Sequence, residues 1–169
     1  MNVVYLKRQL AMNRDRVAAL ARGATEDQAR WKPDEESWSI LEVVSHLADE
    51  EEFDFPLRLK IILENTGRDW PEIDPAGWVI EREYNKGDLY DSLNRYFNLR
   101  NEWLAWLDTL ENPDWDTPYE ASFGSITAGD MYSSWVTHDL LHMRQLVELQ
   151  RRYLEEQTKP YQMDYAGEW

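Results

Sequence analysis

A chain of 169 residues suits one packed domain, and 33 Asp+Glu against 18 Lys+Arg give it a formal net charge of −15. Such a surface repels phosphate backbones and anionic lipid heads, which argues against nucleic acid and membrane as partners. Nine Trp, nine Tyr and four Phe argue against disorder, and the lack of cysteine excludes disulfides, thiolate metal sites and a cysteine nucleophile.

The N-terminal "MNVVYLKRQLAMNRDR" lacks the apolar h-region of a signal peptide, and no stretch reaches membrane-span length, so a soluble, cytoplasmic single domain is expected over 1–169. Val3, Leu6, Leu10, Val17 and Leu20 recur at helical spacing and define a first helix, with Gly23 at its C-terminal end. Thr25 and Gln28 are spaced to cap a short turn in the connector "ATEDQARWKP". A second long helix is predicted from Ser39 to about Asn65, opened by a Ser39/Glu42 capping box and ended near Gly67. Pro56 lies inside it and is expected to kink it.

Residues 68–87, "RDWPEIDPAGWVIEREYNKG", read as a long connector with enough Trp, Ile and Val to pack on the body. A third helix is predicted from about Asp88 to Leu110, with Leu89, Leu93, Tyr96, Phe97, Leu104 and Leu107 inward. A second crossing follows, in which "YEASFGSIT" alternates like a small hairpin. The fourth helix opens at Thr127 with Asp130 as its capping partner, and Pro160 stops it. Its inward stripe is Met131, Trp135, His138, His142, Gln145 and Leu149. Four long helices joined by two long crossovers predict an all-α four-helix bundle, with its core at about 2–153 and a tail at about 158–169.

Only three histidines occur, and two of them, His138 and His142, are one helical turn apart on that stripe. They can aim at one common atom, and His46 on the second helix is the only imidazole left to complete a three-nitrogen site. The competing reading is a chance pair and a lone core histidine, each hydrogen-bonded. Burying imidazoles unmatched is costly, however, so a metal or strong hydrogen bonds must resolve the cluster. No H-E-x-x-H, Gly-rich phosphate loop or EF-hand loop occurs, and the Glu-x-x-His pairs of di-iron bundles are missing.

Glu50, one turn beyond His46, is the candidate fourth ligand, imidazole-orienting group or general base, with Asp49 beside it as a second choice. The alternative is that "ADEEE" is a solvated acidic face. Asp139 is expected to be a surface group or to lie just behind the ligands. Trp135 could wall the pocket or simply pack in the core, and Arg144 and Tyr132 are further pocket candidates.

"WSILEVVSHL" at 38–47 and "GDMYSSWVTHDLLHMRQL" at 129–146, with its W-x-x-H-D-x-x-H-x-x-Q-L pattern, together resemble the DinB-like superfamily of four-helix bundles. The resemblance spans about residues 2–153. It implies one divalent metal per chain (Zn, Ni or Fe) held by His46, His138 and His142, with open coordination for water. It also implies a homodimer acting on a small-molecule substrate. Some members resemble S-transferases that use a low-molecular-weight thiol, which makes metal-assisted thiol transfer the leading expectation. A metal-dependent hydrolase and a non-catalytic metal- or ligand-binding bundle are the alternatives.

Overall fold

In a computed structural model that describes residues 1–64 and 66–169, seven helices and one hairpin account for most of the chain. Helix α1 spans Val3–Ala21 and is capped by the Asn2 side chain, which accepts from the Tyr5 N–H. Its C-cap is Arg22, so Gly23 follows where the sequence sets it. Thr25 caps the short α2, Glu26–Arg30, through the Gln28 N–H. The predicted capping boxes are both formed: Ser39 with Glu42 opens α3, Ile40–Phe53, and Thr127 with Asp130 opens α7, Ala128–Thr158. The predicted end of the second long helix at Asn65 lies outside the described residues.

The kink expected at Pro56 is instead a break. Asp54 leaves helical geometry (φ −121°, ψ −105°), and a separate helix, α4, runs Phe55–Leu63 with Pro56 in its first turn. Proline has no N–H to continue the ladder and its ring crowds the carbonyl four residues back, whereas a first-turn position tolerates both. The connector at 68–87 is also more ordered than predicted. Asp74 caps α5, Pro75–Glu81, and a turn of 3-10 helix follows at Tyr84–Lys86. Helix α6 runs Leu89–Asp108 from an Asp88 cap. The hairpin forms as predicted: β1, Pro118–Ala121, pairs antiparallel with β2, Gly124–Thr127. Tyr119 of β1 stacks on Trp70 at 4.2 Å and its hydroxyl accepts from the Trp70 N–H, which ties the two crossings together.

Around the bundle, α1 packs on α6 and α7, while α3 and α4 pack on the other sides of α6 and α7. The first two long segments are therefore diagonal to each other. Helices α3 and α6 run parallel, with Ser45 meeting Ser92 and Glu51 meeting Arg100, so the chain must return along the bundle through the 68–87 crossing. Two apolar clusters fill the interior. Val17, Val43, Val44, Leu47, Leu93, Tyr96 and Leu146 belong to one, and Leu10, Leu59, Ile62, Leu107, Met131, Tyr132 and Trp135 to the other. Between them every long element turns polar: Asn13 on α1, Asp49 to Glu51 on α3, Arg100 on α6, and His138 and Asp139 on α7. The metal-binding candidates lie in this polar layer. Within the described residues, no helix is long and apolar enough to cross a membrane.

Candidate metal centre and its cleft

The break at Asp54 lets α3 and α4 both follow α7, and α3 delivers His46 to the face on which α7 carries His138 and His142. Nε2 of His142 lies 3.1 Å from Nε2 of His46 and 3.1 Å from Nε2 of His138. One ligating nitrogen from each residue falls within 4.8 Å of the others. For metal–nitrogen bonds of about 2.0–2.1 Å, adjacent donors stand about 2.9 Å apart at right angles and about 3.4 Å apart at the tetrahedral angle. The two short separations fall within that span.

The donor chemistry fits a cation as well. The side-chain oxygen of Gln145 lies 2.8 Å from Nδ1 of His142. An amide oxygen only accepts, so the proton sits on Nδ1 and Nε2 presents its lone pair to the cluster. That single lone pair can take one good hydrogen bond but is approached at 3.1 Å from two sides. Burial, and then the charge of the neighbouring imidazoles, pushes His46 down to about 2; burial and His142 bring His138 to about 3. His142 is lowered by burial, against the opposing pull of Gln145 and Asp139. All three rings are thus neutral at pH 7, the form in which imidazole binds metal.

Glu50 is almost fully buried, and its Oε1 lies 3.6 Å from Nδ1 of His46, the ring nitrogen opposite the one in the cluster. It therefore stands behind His46 and lines none of the described clefts. Among the described residues neither Glu50 Oε1 nor His46 Nδ1 has a hydrogen-bond partner, so of its expected roles the position favours none by a made bond. Burial, and then the neighbouring Asp54 carboxyl, push the Glu50 carboxyl above the usual carboxylate range.

The acidic run is not a solvated face. Asp49, Glu50 and Glu51 are all buried, and only Glu52 reaches solvent. Asp49 points away from the histidines, where it binds the Tyr84 hydroxyl and both Arg82 and Arg95. Glu51 accepts two bonds from Arg100, at 2.9 and 2.7 Å. Arg100, with no exposed surface, also grips both oxygens of Asp139 at 2.9 Å and the Leu10 carbonyl at 3.1 Å. Asp139 takes a further bond from Asn13, so it is neither a surface group nor an imidazole partner.

Trp135, read as either a pocket wall or a core residue, takes the core position. It is buried among the apolar residues, and its indole N–H donates to Glu51 Oε1 at 2.7 Å. Tyr132 is buried against Trp115, away from the histidines. The cleft wall is Trp38, whose ring stacks parallel to His142 at 6.3 Å and tilts over His46 at 4.9 Å. The sequence signal for it was its place directly before the Ser39 cap of α3, within the "WSILEVVSHL" motif. His138 and His142 open onto a cleft of about 880 Å³ that Trp38, Leu141, Arg144, Gln145 and Trp169 help to line. Arg144 is thus the one secondary candidate found at the cleft.

Residues 9–146 match the family model of the DinB superfamily. No curated protein matches the chain. Among solved structures it is similar to YfiT from Bacillus subtilis, described as a probable metal-dependent hydrolase with an unusual four-helix bundle topology. The TM-score is 0.78 at 22% identity, over 88% of this chain and 86% of that one, a likeness of fold.

Proposed function

The chain belongs to the DinB superfamily, and from that premise we propose that it is a metal-dependent enzyme acting on a small molecule. His46, His138 and His142 would hold one divalent ion of zinc, nickel or iron. The observation that carries this reading is the pair of 3.1 Å approaches onto the single lone pair of His142 Nε2, in a pocket that keeps all three rings neutral. Three neutral imidazoles at the edge of an open cleft match the donor set of a catalytic site rather than a closed structural one. Bound there, a divalent ion supplies Lewis acidity, lowering the pKa of water or of a thiol toward neutrality.

The chain's own groups do the rest. Gln145 fixes the His142 tautomer, Glu50 faces the outer nitrogen of His46, and the Trp38 ring packs against His46 and His142. With no cysteine in the chain, any thiol nucleophile must come from a co-substrate. Thiol transfer has support from the family resemblance, and hydrolysis from the description of YfiT. The test is to offer metal-loaded protein a low-molecular-weight thiol with an aryl halide electrophile, and separately an activated ester. Turnover that needs both metal and His142 supports the proposal. Turnover that survives metal removal, or the absence of any turnover with either nucleophile, contradicts it.

A further inference from the structure

On α7 the stripe beside the histidines is Leu141, Arg144, Glu148 and Arg152, spaced by threes and fours, and all four line the large cleft. In a chain of net charge −15, two guanidiniums on this one wall are unusual. Arg144 and Arg152 are both exposed, and neither has a carboxylate within 4 Å among the described residues. Of the three acids lining the same cleft, Glu36 is exposed and two are held by hydrogen bonds. Asp34 accepts from the backbone N–H groups of Glu36 and Ser37, at 3.1 and 2.7 Å. Glu148 accepts from Arg151 at 2.9 Å and from the Trp169 indole at 2.5 Å. Arg152 lies within Coulombic reach of both these carboxylates, whereas Arg144 is two residues from His142 and the less committed of the two. Trp38 and Leu149 also line the cleft, and Trp169 lies against the α7 wall beside Glu148 and Arg151.

We propose that this cleft takes a substrate with an aromatic or apolar body and a carboxylate, and that Arg144 is the residue that selects for the carboxylate. The proposal rests on the metal-enzyme reading for the cleft being the place of reaction. A planar guanidinium donates two parallel bonds to a carboxylate, and the indole faces accept the apolar body. Arg144 fixes the anionic end at the rim while the rest of the molecule reaches the histidines. Arg152 adds attraction at longer range, which salt screens over about 8–10 Å.

The probes are 2-naphthylacetate and its neutral primary amide, titrated by NMR into metal-loaded wild type, Arg144→Gln, Arg144→Lys and metal-stripped wild type. Wild type should bind the carboxylate about tenfold more tightly than the amide; Arg144→Gln should abolish that preference and Arg144→Lys keep part of it. The preference should persist after metal removal, and Arg144→Gln should load metal normally. Equal binding of the two probes, or binding of neither, overturns the proposal. A preference that survives Arg144→Gln but vanishes with the metal also overturns it, because the carboxylate then rests on the ion; the metal-enzyme reading is left standing. An Arg144-dependent preference in protein that takes up no metal supports anion selection and refutes the metal reading.

Discussion

At His142 one nitrogen faces Gln145 and the other faces two further imidazoles, so a single ring carries both the tautomer and the geometry of the cluster. Gln145→Leu should leave the ring free to reorient and weaken metal affinity by about 10- to 100-fold, measured by competition with a chelating dye. Unchanged affinity would mean that Gln145 does not set the tautomer. His46 provides the pH test. Its pKa falls from 6.5 to about 2 on folding, so between those values the unfolded chain binds a proton that the native ring refuses. Native stability from this group is full above pH 6.5 and is lost as the pH falls below it. The buried carboxyls Glu50, Glu51 and Asp54, raised chiefly by burial, have the opposite sign. They are common to wild type and His46→Leu, so the difference reports the ring together with its coupling to His138, His142 and Glu50. From pH 6.5 to 4.5, metal-stripped wild type should lose stability relative to His46→Leu by about 1.4 kcal/mol per pH unit at most, read from urea unfolding. Parallel curves would mean that the ring titrates normally.

Among the elements, Arg100 on α6 is the common partner of the other three sides of the bundle: Leu10 on α1, Glu51 on α3 and Asp139 on α7. Glu51 follows Glu50 directly and Asp139 follows His138, so this cluster sets the height and rotation at which the histidine-bearing helices meet. Arg100→Met leaves two buried carboxylates facing each other and should cost about 3–5 kcal/mol in denaturant unfolding. Adding Glu51→Gln and Asp139→Asn removes that uncompensated charge and should recover part of the loss. A single variant as stable as wild type would show that the cluster is dispensable. The helices and caps were readable in the sequence because periodicity and capping boxes are local signals, and both boxes formed as predicted. The Asp54 break and α5 were not, because whether a proline kinks or splits a helix depends on what each half packs against. The buried acids stayed ambiguous for a similar reason. "ADEEE" looks like a solvated face until Arg82, Arg95 and Arg100 arrive from distant segments to neutralise it.

For the molecule as a whole, the three histidines were legible because there are only three, and because i, i+4 spacing on a core-facing stripe fixes the direction of two of them. The cleft was less legible. Its walls come from Trp38, α7 and the chain end at Trp169, which no short-range pattern links. Trp135 stayed ambiguous in the sequence because a core indole and a pocket indole look alike on one stripe. Metal should stabilise the folded chain by mass action, by about 2.7 kcal/mol at a hundredfold excess over Kd, and a chelator should reverse the rise in Tm. No shift with any of the three metals would place the ligand cluster outside the native energetics. Val4, Tyr5, Leu140 and Leu141 leave apolar surface exposed on α1 and α7, and the family resemblance carries the expectation of a homodimer. Light scattering should return twice the 20.2 kDa chain mass, and a monomer at micromolar concentration would rule that dimer out. The most direct test of the metal centre is X-ray absorption at the edge of the ion that copurifies or is reloaded, with metal content measured alongside. It should give one ion per chain with three imidazole nitrogens at about 2.0–2.1 Å, and His142→Ala should lose both the ion and the signal. An ion bound without imidazole, or retained at full stoichiometry in His142→Ala, would contradict it.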